Sequence, residues 1–328
     1  MKNNIKICTS NALKRWIGLS SFKDKGVWTW GHVIYDYHSF FRNMALLGLN
    51  RIVIWNDILP LNAGDVLEEA HRYGIKLVWG FSWGWQDNCK AKIKRIDKSF
   101  LRDLQEKILD EFSKYEPYCA DGIYFQSFTE TDDEKIGGID IAEAVTDLVN
   151  STAAAIFEKH PHMEIEFGLH ATSVRTNLDI LKKVDRRIRI VWEDCGAFPF
   201  DYDSHNVNGF DETADFVKKL LVLRGEEEKC GFVLKGMTKL DWANFKYHDE
   251  AYNIGGASEE FIRARAKEKE SVWEYVADGW RKNSDYAKRM IELISRANDP
   301  VVYELIEDGM FEYYIKEPVK MFSEMVSE

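Results

Sequence analysis

Short apolar runs alternate with longer amphipathic stretches along most of the chain. Runs such as Ile52 to Trp55 and Ile188 to Trp192 are apolar at almost every position, which is typical of parallel strands covered on both faces. Seven such runs predict strands, at residues 16–20, 51–55, 76–81, 122–127, 164–169, 188–192 and 231–235.

The stretches between these runs carry apolar residues at helical spacing. One face of a predicted helix is formed by Phe100, Leu101, Leu104, Ile108, Leu109 and Phe112. Asp97 is well placed to cap the first turn of this helix. Asn62 and Asp65 resemble a capping box and predict another helix start, and Asp211 precedes a third amphipathic run.

Strand and helix therefore alternate at a spacing that indicates a parallel sheet with right-handed crossovers. Seven repeats within about 240 residues favour a closed (β/α)8 TIM-type barrel over an open doubly wound sheet. No eighth strand is evident, so we expect either an incomplete barrel or a short strand near 239–242. The predicted domains are a catalytic barrel over 1–258 and a helical C-terminal segment over 259–328, packed on the barrel or on a partner subunit.

Composition and charge narrow the function classes. The 328 residues are 45% hydrophobic and 30% charged, which is enough apolar material for a sizeable core. The net charge of -11 argues against nucleic acid or an anionic membrane as a partner. Five cysteines without a CxxC pair predict reduced thiols. The N-terminus lacks a signal-peptide pattern and no run approaches about 18 apolar residues, so we expect a soluble cytoplasmic protein.

In a barrel of this type, functional side chains follow the carboxyl ends of the strands. Seven of the eleven tryptophans lie at or near predicted strand ends: Trp28, Trp30, Trp55, Trp83, Trp85, Trp192 and Trp242. Indole faces beside polar groups suit a sugar ring, although large aromatic residues also plug barrels. We predict a carbohydrate-binding set of Trp30, Asn56, Asp57, Trp83, Trp85, His170, Trp192, Lys235 and Trp242.

The run from Asp121 to Glu130 carries the strongest chemical signal, because a buried strand ends on a carboxylate. A second acidic pair, Glu193 and Asp194, follows the sixth predicted strand. Two carboxylates that face one glycosidic bond supply an acid and a base or nucleophile. We therefore predict Glu130 as the proton donor, with Glu193 or Asp194 as its partner.

Two residues allow other interpretations. His170 could join the carboxylates as a metal ligand, but no HxH or HExxH spacing supports a metal site, and a hydrogen-bonding pocket histidine is the commoner outcome. Lys235 could form a Schiff base, bind an acidic sugar group or pair with a carboxylate. We predict neither a metal nor a cofactor.

The segment Gly122 to Glu130 resembles the strand of the xylan α-glucuronidase barrels that ends in Ser-Glu, whose Glu is the general acid. Leu47 to Asp57 and Tyr73 to Val78 resemble the second and third strand units of those enzymes, and the β-N-acetylhexosaminidase-like barrels share this layout. The resemblance spans roughly 16–130. It implies a TIM-barrel glycoside hydrolase with Glu130 as the acid and Glu193 near the position of an inverting base.

Four positions depart from that group. Gln126 stands where the α-glucuronidases carry a lysine near the uronate, and His170 and Ser173 stand where they carry an aspartate. Thr129 before Glu130 breaks the Asp-Glu pair of the hexosaminidases.

The predicted function is therefore hydrolysis of glycosidic bonds in small oligosaccharides or glycosides. The predicted partner is a small carbohydrate, and a homo-oligomer is the alternative to a monomer. The alternatives are a non-catalytic carbohydrate-binding barrel and a metal-dependent sugar isomerase or lyase.

Overall fold

Eight parallel strands in the described part of the chain close into one barrel. The computed structural model describes residues 22–56, 58–84, 93–131, 133–170, 172–193, 210–225, 228–237, 250–306 and 309–328. The strands are β1 Asp24–Trp30, β2 Arg51–Trp55, β3 Lys76–Trp83, β4 Ile123–Ser127, β5 Ile165–Leu169, β6 Ile188–Trp192, β7 Lys229–Met237 and β8 Asn298–Ile306. Each pairs with the next, and β8 pairs with β1, where Tyr303 lies opposite Gly26.

One helix follows each strand and covers the outside of the barrel. The helices are α1 Tyr37–Leu46, α2 Ala63–Arg72, α3 Lys98–Tyr115, α4 Ile141–Lys159, α5 Leu178–Leu181, α6 Phe210–Leu221, α7 Glu259–Ile294 and α8 Glu317–Ser327. A short hairpin of Lys135–Ile136 and Ile139–Asp140 precedes α4. The architecture is the predicted (β/α)8 TIM barrel.

Six strand predictions are confirmed, two of them with identical bounds and four within two residues. The strand predicted at 16–20 lies outside the described residues. The first barrel strand is β1, so Trp28 and Trp30 lie inside this strand instead of after it. The hydrophobic pattern does not predict β1, because the first half of this strand, Asp24 to Gly26, has the composition of a turn.

The eighth strand lies where a helix was predicted. The helical prediction for 259–328 holds for α7 and α8 but is wrong for β8, which closes the barrel. Its apolar run begins after Pro300 and is interrupted by Glu304, which is buried and accepts a hydrogen bond of 2.7 Å from the Gly236 N–H. The barrel therefore extends beyond residue 258, and the alternative position at 239–242 lies outside the described residues.

Local signals explain the helix starts only in part. The Asp97 carboxylate accepts a hydrogen bond of 3.0 Å from the Phe100 N–H and caps α3, as predicted. Asn62 also precedes its helix, but the predicted capping box is wrong. Its side chain instead exchanges two hydrogen bonds of 2.9 Å with the Ile254 backbone, because a distant segment competes successfully for the amide.

The core has two layers. Apolar residues on one face of the strands pack against the helices, and a smaller cluster fills the barrel interior, including Trp28, Trp30, Val53, Trp55 and Tyr124. Cys119 and Cys230 are buried free thiols, and burial raises the pKa of each to about 12. Among the described helices, none combines the length and the apolar character needed to cross a membrane.

Candidate active site at the barrel mouth

Four of the predicted site residues meet at the carboxyl ends of neighbouring strands. His170 follows β5, Glu193 follows β6, Lys235 lies in β7, and Glu130 follows β4 by three residues. Gln126 in β4 faces the same space, because it contacts Glu193. The strands alternate their side chains between the interior and the helices, so these residues share the inner face.

Glu193 is the centre of this polar group. Its Oε1 accepts hydrogen bonds from the Tyr124 hydroxyl at 2.5 Å and from Gln126 Nε2 at 2.7 Å. Its Oε2 lies 2.8 Å from the same Gln126 nitrogen, 3.0 Å from His170 Nε2 and 3.8 Å from Lys235 Nζ. A carboxylate offers about four lone-pair positions, so these donors nearly saturate Glu193.

The donors keep the buried carboxylate ionised. Burial alone would raise the pKa of Glu193, but His170, Lys235 and the Tyr124 hydroxyl favour the charged form and lower the pKa to about 2. Burial and the neighbouring negative charge of Glu193 raise the pKa of Tyr124 well above its ordinary value, so the phenol stays a donor. The site therefore holds a fixed negative charge.

Glu130 supplies the second carboxylate and is open to solvent. Its side chain is 50% exposed, whereas that of Glu193 is buried. His170 Nε2 lies between the two groups, 3.8 Å from Glu130 Oε2 and 3.0 Å from Glu193 Oε2. The Oε2 atoms of the two carboxylates are therefore at most about 7 Å apart, an upper limit that is compatible with the separations of glycosidase pairs.

Gly168 in β5 makes room for this arrangement. A Cβ at this position would overlap both the Tyr124 hydroxyl and Glu193 Oε1, which hydrogen-bond to each other above the glycine. Any side chain here would push the two groups apart. No sequence signal distinguishes Gly168 or Tyr124 as a site residue, although counting alternate positions back from Gln126 places Tyr124 on the inner face.

Aromatic rings line the opposite side of the mouth. Trp28 stacks on Trp55 with ring centroids 5.9 Å apart and meets Trp30 edge-on at 5.0 Å. Tyr124 contacts both Trp28 and Trp55 at 6.1 and 6.5 Å. The mouth thus has an aromatic half on β1 and β2 and a polar half on β4 to β7, and Tyr124 joins them.

Comparison with known proteins supports the fold of this site and no more. No protein-family model and no curated protein matches the sequence. The structure is similar to a family 5 glycoside hydrolase from Prevotella bryantii in complex with a xyloglucan tetradecasaccharide, at 9% identity over 89% of this chain and 87% of that chain, with a TM-score of 0.53. It is also similar to a family 39 glycoside hydrolase from Bacteroides cellulosilyticus, at 11% identity over 94% of this chain and 64% of that chain, with a TM-score of 0.51.

A third similar structure is a D-psicose 3-epimerase from Clostridium cellulolyticum with D-tagatose, at 13% identity over 93% of this chain and 96% of that chain, with a TM-score of 0.44. At these identities the likeness to the two glycoside hydrolases shows the barrel fold alone. The prediction of a TIM barrel is confirmed as a fold, and its membership of the glycoside hydrolases stays a prediction. The closer resemblance to the xylan α-glucuronidases stays a prediction.

Two tryptophans of the predicted binding set face away from the barrel interior. Trp83 and Trp192 are buried on the outer face of their strands among residues that pack against the helices, and Trp83 stacks on Phe125 at 3.7 Å. Strand alternation explains this correction, since Val78 and Val191 face the interior and residues at odd offsets from them face outward. Trp83 and Trp192 do not line the mouth.

Asn56 lies at the mouth but is engaged by the protein. It is buried, its Oδ1 accepts a hydrogen bond from the Tyr252 hydroxyl, and its Nδ2 lies 3.4 Å from the Ile54 carbonyl. Tyr252 was not predicted, and no local signal could reveal a partner 196 residues away. Asn56 thus fixes the loop around the aromatic half instead of offering a free amide.

The remaining predicted residues, Asp57, Trp85, Asp194 and Trp242, lie outside the described residues. Within the described part of the chain, no three His, Cys, Asp or Glu side chains are grouped as metal ligands. Around Glu193, the groups within reach of the carboxylate include an amide, a phenol and an ammonium.

Proposed function

We propose that the protein is a glycoside hydrolase whose active site is the polar half of the barrel mouth. The observation that carries the proposal is the pair of carboxylates, Glu130 and Glu193, on either side of His170 Nε2. Glycoside hydrolysis requires one protonated and one ionised carboxyl group, and the buried, ionised Glu193 fits the second of these roles. Trp28, Trp30 and Trp55 of the aromatic half are buried, so they form the wall behind the mouth.

In this proposal Glu130 donates a proton to the leaving oxygen. Glu193 lies opposite and stabilises the positive charge that develops at the anomeric carbon. A separation within about 7 Å includes the roughly 5–5.5 Å of retaining enzymes and only the shortest inverting separations. We therefore propose that Glu193 Oε2, the oxygen that faces His170 and Glu130, is the nucleophile of a retaining mechanism.

The test compares Glu130→Gln with wild type on aryl glycosides whose leaving groups differ in acidity. Loss of a general acid should lower kcat/KM on the order of 10³-fold for a poor leaving group such as phenol, and much less for dinitrophenol, which needs no proton. Glu106→Gln, an exposed change on α3, is the control and should leave both rates unchanged. Equal losses on both substrates would contradict the role of Glu130.

A second function, a non-catalytic carbohydrate-binding barrel, is favoured by one observation. The near-saturation of Glu193 by four donor contacts leaves its oxygens little capacity for chemistry. A wild-type protein that binds a sugar at micromolar concentration, yet turns over no glycoside in a broad panel, would select this function over hydrolysis.

A further inference from the structure

Three aromatic side chains stand half exposed on the same end of the barrel as the mouth. Phe261, Tyr313 and Tyr314 are 49%, 50% and 51% exposed. Phe261 lies in the first turn of α7, which follows β7, and the two tyrosines lie between β8 and α8. Segments that follow the strands of a barrel lie at the carboxyl end, where ligands bind.

Contacts through Tyr35 join these residues into one patch. The Tyr35 N–H donates a hydrogen bond of 3.0 Å to Glu312 Oε1, next to Tyr313. The Tyr35 ring also meets Phe261 nearly edge-on, with centroids 5.1 Å apart. We call Tyr35, Phe261, Tyr313 and Tyr314 the rim patch.

The rings of the rim patch are supported from within the protein. Lys316 is buried, and its Nζ lies 3.6 Å from the centroid of the Tyr314 ring, so a cation–π contact covers one ring face. Tyr313 packs against Tyr314 at 5.3 Å. Because supported rings lose little conformational freedom on binding, the exposed surfaces are suited to stack on a ligand.

The rim patch continues outward from the aromatic half of the mouth. Trp30 ends β1, and Tyr35 follows it by way of the short helix Gly31–Val33. At about 2 Å per residue for such a helix, the backbone of Tyr35 lies on the order of 10 Å beyond Trp30. A single sugar that occupies the mouth does not extend this far, whereas a chain of several units does.

We infer that the rim patch is a binding subsite for the distal units of a linear, neutral oligosaccharide whose end unit occupies the mouth. This inference rests on the proposed function. The size of the patch favours a sugar chain over a protein partner. Phe261, Tyr313 and Tyr314 would each bury roughly 150–250 Å² if fully covered and are about half exposed, whereas Tyr35 is partly buried. The patch therefore offers roughly 300–400 Å², whereas a stable protein interface needs about 800 Å² per partner.

The experiment measures binding by calorimetry, with cellobiose, cellohexaose, xylobiose and xylohexaose as the probes. The protein is Glu130→Gln, so that turnover does not consume the ligand. We expect at least one hexasaccharide to bind about tenfold more tightly than its disaccharide. Tyr313→Ala/Tyr314→Ala should abolish this preference and leave disaccharide affinity within twofold. Tyr314→Phe, which keeps the ring, should retain the preference.

Tyr286→Ala is the matched control, since Tyr286 is an exposed tyrosine in the second half of α7, stacked on Phe210 and beside Arg289. It should change nothing. Equal affinity for long and short probes, no binding of any probe, or equal loss on both lengths in the double variant would overturn the inference. Sedimentation that shows self-association lost in the double variant would also overturn it, in favour of a protein contact.

The failure of this inference is distinguishable from that of the proposed function. A length preference that disappears in the double variant supports the subsite even if neither wild type nor Glu130→Gln hydrolyses any glycoside. If hydrolysis depends on Glu130 as expected but no length preference is found, the subsite inference fails and the proposed function stands.

Discussion

Two clusters of buried charge occupy the interior of the same barrel, and they differ in how they are closed. At the amino end of the strands, Arg51 donates hydrogen bonds to Glu166 at 3.0 Å and to Tyr303 at 2.7 Å, and Tyr303 donates to Glu166 at 2.8 Å. All three side chains are essentially inaccessible to solvent. At the carboxyl end, Glu193 is equally buried, but Lys235 is 22% exposed and Glu130 is half exposed.

Buried charge alone therefore does not mark a functional site. In the lower cluster, which is formed by Arg51, Glu166 and Tyr303 at the amino end, the partners compensate one another's charge. Burial opposes the charge of Arg51, but Glu166, Tyr303, Glu164 and Asp24 outweigh it and raise the pKa of Arg51 well above its ordinary value. In the upper cluster, which surrounds Glu193 at the carboxyl end, the buried carboxylate neighbours Lys235 and Glu130, which are partly exposed at the mouth. Stability is expected at the amino face of such a barrel and chemistry at the carboxyl face.

Glu193→Gln should have the largest effect on activity and only a moderate effect on stability. The change keeps the shape of the side chain but removes the fixed negative charge, so kcat/KM should fall on the order of 10³-fold or more. The free energy of unfolding in urea should fall by about 1–3 kcal/mol, because Tyr124 and Gln126 retain a polar partner but His170 and Lys235 lose a charged one. Kinetics and urea denaturation of the same preparation measure both quantities. A stable variant with near-normal activity would make the upper cluster as structural as the lower one.

Arg51→Met should show the opposite split. It removes the closer of the two cations beside Glu166 and leaves only Arg189, whose Nε lies 3.7 Å from Glu166 Oε1. The free energy of unfolding should therefore fall by about 3–5 kcal/mol. The activity of the molecules that remain folded should be unchanged. The double variant Arg51→Met/Glu166→Met removes both charges, and we expect it to be more stable than Arg51→Met. A double variant less stable than the single one would show that Glu166 stabilises the barrel even without Arg51.

Gly168→Ala should damage the upper cluster by steric means. The added methyl group would overlap the Tyr124 hydroxyl and Glu193 Oε1, so the two groups must separate. We expect kcat/KM to fall about 10²-fold and stability to fall by about 1–3 kcal/mol. Gly64→Ala in α2 is the matched control, because its Cβ would lie 3.4 Å from the Tyr118 ring, an ordinary contact. Unchanged activity in Gly168→Ala would show that the Tyr124 contact is dispensable.

The sequence placed the residues of the polar half at one end of the barrel, where the structure brings them together. Their catalytic and binding roles stay predictions. Glu130, His170, Glu193 and Lys235 were identified because each follows or ends an apolar run, and those runs are set by burial on both strand faces. The first and last strands were missed because Asp24 and Glu304 interrupt their apolar pattern. Both polar residues find partners that no local rule reveals, Lys76 for Asp24 and the Gly236 N–H for Glu304.

The direction of a side chain at a strand end was the second source of error. Trp55 and Trp192 both end a strand, yet Trp55 faces the interior and Trp192 faces the helices. A shift of one residue reverses the face, so composition at a strand end cannot separate the two cases without the register. The contact between Asn56 and Tyr252 depends on chain folding over 196 residues and had no signal at all.

The matched pair Tyr124→Phe and Tyr303→Phe gives the smallest and most discriminating effects. Each change removes one phenol that donates to a buried glutamate, at 2.5 Å to Glu193 and at 2.8 Å to Glu166. Both should lower the free energy of unfolding at pH 7 by about 1–3 kcal/mol, as expected for hydrogen bonds to charged groups. Only Tyr124→Phe should also lower kcat/KM, because only its partner lies at the mouth.

The acid dependence of stability separates the two variants further. The pKa of Glu193 is about 2 in the folded protein, below its ordinary value of 4.5, so its stabilising contribution is present above pH 4.5 and is lost as the pH falls through about 2. Tyr124→Phe removes one donor that lowers this pKa, so the contribution of Glu193 should be lost at a higher pH than in wild type. Tyr303 does not contact Glu193, so Tyr303→Phe should not change the pH at which this contribution is lost. Melting temperatures measured between pH 2 and pH 6 give this difference. If the two variants showed the same dependence of melting temperature on pH, the assigned role of Tyr124 in lowering the pKa of Glu193 would be wrong.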